Sequence, residues 1–340
     1  MSTKDYIPRR AILQQRKRKR RQVFIISCLL FIVLCGTGIA AKYGFQLYSA
    51  WDKMYEEREP IDEKEKATAA LDSKLRPFSV LLLGVDNRDG QFYGRSDVIM
   101  LIVVDPKQEH ISLLSIPRDT YTQIIGKGRY EKINHAYAYG LKTALATVET
   151  FLDIPINYYV VVNFDGFVDF IDLLGGLEID VERDVYYQYE SDGDTSIYVE
   201  KGEQVLTGEE ALLYVRFRND VEADFGRMRR QQQVVQSILD QTLNLRTLAK
   251  LGEIIDVIGE NVRTNIPASE IFRLSRQLAS ISGDNVEIIP MESEARIKDG
   301  IWYVFVDEEE IQRVQQELKE RLNLEVMIES VGRDRTNENF

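Results

Sequence analysis

Apolar residues along this chain fall into three kinds of run, and each kind predicts a different element. The first is Val23 to Ala41, VFIISCLLFIVLCGTGIAA, 19 residues without a formal charge. The second kind is shorter: Phe78–Leu83, Val98–Val104 and Ile111–Ile116 are almost unbroken apolar stretches. Their apolar residues do not alternate with polar ones, so they read as strands covered on both faces. Tyr158–Val162, Leu177–Val181, Val286–Ile289 and Trp302–Val306 read as further strands. The third kind has helical spacing: His135–Phe151 sets Ala138, Leu141, Leu145, Val148 and Phe151 on one side. Phe164–Leu174, Ser269–Ser280 and Asp307–Arg321 are also predicted helices. Thr207-Gly-Glu-Glu210 predicts a capping box opening a helix over Glu209–Tyr214, and a longer helix starts near Asp224 and passes Arg230, Gln233 and Ile238. Strands and helices alternate, so the predicted fold class is α/β: a single three-layer α/β/α domain with a central mixed sheet, over residues 77–325.

Composition narrows the classes. A hydrophobic fraction of 44% in 340 residues excludes wholesale disorder, and 8 prolines without tandem periodicity exclude collagen-like and solenoid architectures. Cys28 and Cys35, the two cysteines, both sit in the first apolar run, so a disulfide scaffold is excluded. The net charge of −12 hides an asymmetry. Residues 1–22 carry nine Lys/Arg against Asp5, a charge of +8, which leaves −20 for the remainder. The apolar run separates the two. As a helix, 19 residues cover about 28 Å, close to a bilayer's hydrocarbon core.

The predicted organisation follows from that span. Residues 1–22 form a basic cytoplasmic tail, because positive charge stays inside, and 23–41 form one transmembrane helix. Residues 42–76 are a stalk or linker, with Ala50–Arg58 as a short amphipathic piece that Pro60 interrupts. The domain beyond lies outside the cell membrane, and 326–340 form a loose polar tail. A cleaved signal peptide fits less well, since the run is longer than such an apolar region and Gly38-Ile39-Ala40 is only a passable cleavage site. Beside a membrane span, the basic run is more economically an anchor for anionic lipid than a nucleic-acid patch.

Four charged stretches stand out from the core pattern. Gly84-Val85-Asp86-Asn87-Arg88 ends one strand and Gly94-Arg95-Ser96-Asp97 starts the next, so Asp86 and Asp97 can meet at one sheet edge. Two carboxylates, with waters and phosphate oxygens, suit Mg²⁺, or Mn²⁺ in its place; turn or cap roles fit the spacing equally. Ile116-Pro117-Arg118-Asp119-Thr120 follows a strand, and Glu131-Lys132-Ile133-Asn134-His135 opens a helix. In Tyr214–Gln232, an extended Arg216-Phe217-Arg218 would point both guanidinium groups to one side, with Asp224, Arg227, Arg230 and Gln231 following at helical intervals. Arginine forks donate paired hydrogen bonds to phosphate oxygens. In so acidic a domain they suggest a small, highly anionic ligand, against the alternative of ordinary surface ion pairing. No nucleophilic triad, phosphate loop or HExxH zinc site is visible, and His135 fits a helix-start role as well as a catalytic one.

Together these stretches resemble the LytR–CpsA–Psr family of cell-envelope transferases. The segments are LLLGVDNR (81–88), GRSDVIMLIVVD (94–105), LLSIPRDTY (113–121), KINHAYAYG (132–140), GGLEIDV (175–181) and YVRFRNDVEADFGRMRRQQQ (214–233), in the family's order. Val98 and Leu141 depart from a common threonine and glycine without altering a charged position. The resemblance implies transfer of an anionic glycopolymer from an undecaprenyl-pyrophosphate carrier to a muramic acid 6-hydroxyl of peptidoglycan, leaving a phosphodiester. It implies Mg²⁺ on Asp86 and Asp97, phosphate-clamping Arg95, Arg118, Arg216, Arg218, Arg227 and Lys132, and a supporting donor in Gln231. Arg118, Arg216, Arg218 and Asp224 would be the catalytic set, Asp224 orienting an arginine or assisting deprotonation of the acceptor. Tyr137, Phe151, Tyr158, Phe164, Phe167, Phe170 and Leu174 are candidates for an isoprenoid tunnel, against plain core. The partners implied are the lipid-linked donor, peptidoglycan and the membrane, with no nucleic acid. Competing expectations are a lipid-pyrophosphate hydrolase at the same site and a membrane-bound transcriptional regulator.

Overall fold

The computed structural model describes residues 42, 44–57, 76–86, 92, 94–188, 196–217, 223–241, 251–267, 270, 273 and 285–324. The basic tail, the apolar run 23–41, most of the linker, Arg218, and nearly all of the helix expected over 269–280 lie outside them. Among the described residues no helix is long and apolar enough to cross a membrane.

A mixed sheet of six strands organises the domain. Three of its strands form a meander: β1 (Phe78–Val85), β2 (Ser96–Asp105) and β3 (His110–Ser115), each antiparallel to the next. β6 (Tyr158–Asn163) joins β1 in parallel, β11 (Val262–Thr264) adds antiparallel to β6, and β12 (Val286–Ile288) adds parallel to β3. The spatial order is β11-β6-β1-β2-β3-β12. The unbroken apolar runs have the expected cause. Leu81, Leu83, Val85, Leu101 and Leu114 join one apolar cluster, while Phe78, Val80, Met100 and Leu113 join another. Alternate residues of one strand therefore enter different cores, and each fully buried leucine contributes about 1.5–3 kcal/mol.

The first cluster is closed by α2 (Leu141–Leu152) through Leu145, Val148 and Leu152, and by α7 (Glu308–Arg321) through Val314 and Leu318. α5 (Ala223–Gln241) covers the second cluster with Val235. A third cluster gathers around α3 (Phe164–Leu174), α4 (Gly208–Arg216) and the two-stranded sheet of β7 (Leu177–Val181) and β10 (Gly202–Leu206). The capping box is present: the Thr207 hydroxyl accepts from Glu210 N, and the Glu210 carboxylate accepts from Thr207 N at 2.8 Å. α6 (Leu251–Asn261) packs against α3.

Two expectations change. The single helix predicted over 135–151 is two, α1 (His135–Ala138) and α2, because Gly140 takes φ 113°, which a helix excludes. Three hairpins were also not anticipated: β4 (Tyr121–Ile124) with β5 (Arg129–Lys132), β8 (Val185–Gln188) with β9 (Ser196–Val199), and β13 (Glu294–Lys298) with β14 (Ile301–Phe305). Before β1, Tyr55 bridges Thr264 and the Tyr159 hydroxyl donates to Glu56 O at 2.7 Å, so this piece of the linker is seated on the sheet's β11 edge.

Candidate functional site

Antiparallel pairing of β1 and β2 puts the end of one beside the start of the other, with Val85 opposite Ser96. Asp86 and Asp97 therefore lie at the same end of the sheet. β3 delivers the next group to that end. Ile116 N donates to Ile99 O at 2.8 Å, and the buried Thr120 hydroxyl donates to Pro117 O at 2.6 Å, closing a tight turn around Arg118 and Asp119. Backbone bonds from Ile133 N to Thr120 O and from Asn134 N to Arg118 O stitch the end of β5 to this turn, and Lys132 arrives with it. Arg216 comes from elsewhere, as the last residue of α4.

These side chains form one chain of contacts. Arg118 Nη1 is paired with Asp97 Oδ1. Arg216 Nη2 lies 3.1 Å from Asp86 Oδ2 and 3.7 Å from Asp97 Oδ2. Asp119 stands 3.8 Å from Arg118 Nε and 2.9 Å from Lys132 Nζ. Side-chain exposure runs from 16% at Asp97 to 42% at Arg216, so a solute can reach the cluster. Ion pairs this open contribute only about 0–1 kcal/mol each, and such a gain does not explain concentrating three cations and three carboxylates at one sheet end. Arg118 Nε is buried and has no hydrogen-bond partner, which leaves donor capacity at the centre. The Arg216 guanidinium lies over the Phe164 ring, 4.8 Å from its centroid, and that ring sits beside Gly84 of β1.

The donor set can be tested against a divalent cation. Asp86 and Asp97 each turn a carboxylate oxygen to a single cationic nitrogen, so two anionic oxygens already converge on one point. Among the described residues no group of three or more His, Cys, Asp or Glu could hold a metal. Two carboxylates with water and phosphate completing the shell fit the habit of Mg²⁺.

The other expected residues are placed less centrally. Arg95 is exposed, two residues before Asp97. Arg227 and Gln231 lie one turn apart on α5, both buried. Asp224 is the second residue of that helix, and its side chain lies outside the described residues, as does Arg218. The extended reading of 216–218 is corrected at Arg216, which is helical; extended backbone begins at Phe217, with φ −61° and ψ 134°. His135 opens α1, with Nδ1 3.1 Å from Glu131 Oε2.

Six of the seven candidate tunnel residues are spread over three apolar clusters. Tyr137 and Phe151 belong to the first cluster, Phe167, Phe170 and Leu174 to the third, and Tyr158 to the second. A cavity of about 240 Å³ between β7 and α5 is lined by Glu178, Ile179, Asp180, Gln233, Gln236 and Asp240.

Two residues inside the charged stretches were given no role at the sequence level. Asp119 binds both Arg118 and Lys132, and its place beside an arginine in a turn was the available signal. Arg230 is 1% exposed, donates Nη2 to Phe217 O at 2.6 Å and lies against the Tyr214 and Phe217 rings, so it fixes the chain just beyond Arg216. Its contact with Phe217 O, which joins two segments 13 residues apart, was not legible.

Comparison with known proteins adds the family. A polyisoprenyl-teichoic acid–peptidoglycan teichoic acid transferase TagU of Halalkalibacterium halodurans is 40% identical over 290 residues, covering 83% of this chain and 93% of the relative. The crystal structure of Bacillus subtilis TagV aligns with TM-score 0.63 at 36% identity, over 74% of this chain and 98% of that one. The structure of TagT bound to LIIa-WTA aligns with TM-score 0.62 at 32% identity, over 78% and 95%. The LytR_cpsA_psr family model matches residues 43–320, a span that contains the sheet and every residue of the cluster, and the chain belongs to the LytR_cpsA_psr family.

Proposed function

We propose that this protein transfers an anionic glycopolymer, such as teichoic acid, from an undecaprenyl-pyrophosphate carrier to the 6-hydroxyl of muramic acid in peptidoglycan. The observation that carries this reading is the convergence of Arg118, Arg216 and Lys132 with Asp86 and Asp97 at one sheet end, in a chain whose relatives are named as teichoic acid transferases.

The chemistry asks little covalent work of the protein. The acceptor oxygen attacks the phosphorus that bears the glycopolymer, the bond from that phosphorus to the bridging oxygen breaks, and undecaprenyl phosphate leaves. Catalysis then rests on neutralising developing charge and holding the groups in line. Arg118 and Arg216 bind the diphosphate oxygens, joined by Lys132 and, as it approaches, by exposed Arg95. Arg218, Arg227 and Gln231 are assigned supporting contacts. Asp224 either orients an arginine or receives the acceptor proton. Asp86 and Asp97 would hold Mg²⁺, or Mn²⁺, which when bound supplies further neutralisation of the diphosphate. Residues 23–41 anchor the chain in the cell membrane with the N-terminus cytoplasmic, and a three-layer α/β/α domain works outside, next to the bilayer that carries its lipid donor.

The test is direct. Full-length protein in detergent is incubated with a lipid-pyrophosphate glycan, with and without peptidoglycan fragments. Acceptor-dependent formation of a glycan–peptidoglycan phosphodiester is expected. Release of free glycan phosphate at the same rate with or without acceptor overturns the reading in favour of hydrolysis.

A further inference from the structure

Beside the arginine cluster lies an aromatic surface that the transfer reading does not use. The hairpin β4–β5 turns Tyr121, Tyr130 and Lys132 to one face, since Tyr121 is paired with Lys132 and Gln123 with Tyr130. The hairpin β13–β14 turns Lys298, Tyr303 and Phe305 to one of its faces, by the pairs Lys298 with Ile301, Arg296 with Tyr303 and Glu294 with Phe305. The two faces meet. Tyr121 stacks on Tyr130 at 5.4 Å between centroids, meets Tyr303 edge-on at 5.0 Å and lies 5.2 Å from Phe305. Lys298 Nζ sits 4.2 Å from the Tyr121 centroid and donates to its hydroxyl at 2.7 Å.

This surface is continuous with the cluster. Val304 N donates to Asp119 O at 2.9 Å, Thr120 bridges Val304, and Lys132, the partner of Asp119, reaches to 5.8 Å from the Tyr303 centroid. Rings whose task was only to tie two hairpins together would be buried, yet Tyr130 is 56% exposed, Tyr121, Tyr303 and Phe305 are half-buried, and Lys298, over the Tyr121 ring, is exposed. The exposed Tyr130 ring, backed by the half-buried rings and with Lys298 nearby, offers stacking to flat, weakly apolar sugar faces and attraction to nearby carboxylates.

We propose that Tyr121, Tyr130, Tyr303, Phe305 and Lys298 form the acceptor subsite, on which a peptidoglycan glycan strand lies with one muramic acid hydroxyl turned toward Arg118. The proposal rests on the transfer reading. It commits to the acceptor because the attacked hydroxyl is internal to a linear polymer. A strand that continues in both directions needs an open surface at the site's edge, whereas the donor presents its reacting diphosphate near a chain end. The acidic stem peptides of the strand match Lys298.

The experiment uses full-length protein in detergent and soluble, uncross-linked glycan strands as the probe. Tyr130→Ala and Lys298→Gln should each raise KM for glycan strands about five- to tenfold. They should leave KM for the lipid-linked donor and kcat at saturating acceptor unchanged. Tyr130→Trp, which keeps a ring, should restore acceptor KM to within about twofold. An unchanged acceptor KM in Tyr130→Ala and Lys298→Gln overturns the subsite, as does a rise in donor KM alone, which would assign the surface to the donor polymer. If the wild type transfers to no peptidoglycan fragment, the transfer reading fails separately. Direct binding of strands measured by calorimetry then still decides the subsite: about tenfold weaker binding in Tyr130→Ala supports it, and equal binding removes it.

Discussion

Gly84 stands at the junction of fold and site, and replacing it by alanine tests how closely the two are joined. Its φ lies outside the left-handed region, so space is the constraint. An added Cβ would lie 2.9 Å from Val98 Cβ, 3.1 Å from Val98 Cγ2 and 3.2 Å from Phe164 Cε1, where ordinary contact starts at 3.4 Å. The shortfall is roughly half an ångström against an atom fixed to the opposite strand, since Gly84 pairs with Val98. Either β1 and β2 spread or the Phe164 ring tilts. Overpacking of this kind costs about 1–3 kcal/mol, or a melting temperature lower by about 2–12 °C in a domain of this size. Because Arg216 rests on the Phe164 ring, the strain reaches the guanidinium proposed to bind the diphosphate. With about a hundredfold lost per ångström of misplacement, a half-ångström shift should lower kcat/KM about tenfold. Circular-dichroism melts and acceptor-dependent transfer measure the two effects. Adding Val98→Gly, which removes the opposing Cβ, should recover part of both. A Gly84→Ala variant with the melting temperature and turnover of the wild type would show that β1 accommodates a methyl group there without disturbing Arg216.

The remaining predictions address single groups. Arg118→Ala and Arg216→Ala should each abolish detectable transfer while the melting temperature moves by only a few degrees, because open ion pairs contribute about 0–1 kcal/mol; wild-type turnover in either would contradict the assignment. Asp86→Asn should shift the Mg²⁺ titration of transfer to higher concentration, and an unchanged midpoint would remove Asp86 from the cation site. Thr207→Ala, which removes the hydroxyl cap of α4, should destabilise the domain by about 1 kcal/mol in denaturant titrations. Burial pushes the Tyr137 hydroxyl up to about 12, above its ordinary value of 10.0, while it donates to Phe92 O at 2.9 Å. A raised value means stability that is full below pH 10 and lost as pH climbs toward 12. Tyr137→Phe should flatten that alkaline limb in pH-dependent melts, and a limb of unchanged slope would exclude Tyr137 as its source.

The central strands were legible because burial on two faces leaves an unmistakable apolar run, and α3 was read with the bounds it has, Phe164–Leu174. The β13–β14 hairpin was half hidden: every residue of β13 is exposed, so Glu-Ala-Arg-Ile-Lys carries no alternation to read. Helix spacing across 135–151 ran through Tyr139-Gly140 unbroken, and only the positive φ at Gly140 shows that two helices meet there. At the site, the meeting of Asp86 and Asp97 could be read from strand order alone. The pairing of Arg118 with Asp97, and of Lys132 with Asp119, could not, because it depends on the turn after β3, which backbone bonds stitch to the chain just past β5. Arg216 was placed in an extended piece because nothing local showed that α4 persists to that residue; the Arg230 contact with Phe217 O lies just past that boundary.

The order of strands in the central sheet also governs how the chain assembles. β1, β2 and β3 follow one another and can zip together as soon as they exist, whereas Val80 waits for Tyr158 and Ile111 for Val286. Closing such long loops makes folding slow. Until the late strands dock, both flanks of the early meander are unpaired edges rich in valine, isoleucine and leucine, the form of intermediate that sticks to its own kind. Refolding from denaturant should therefore give yields that fall as protein concentration rises.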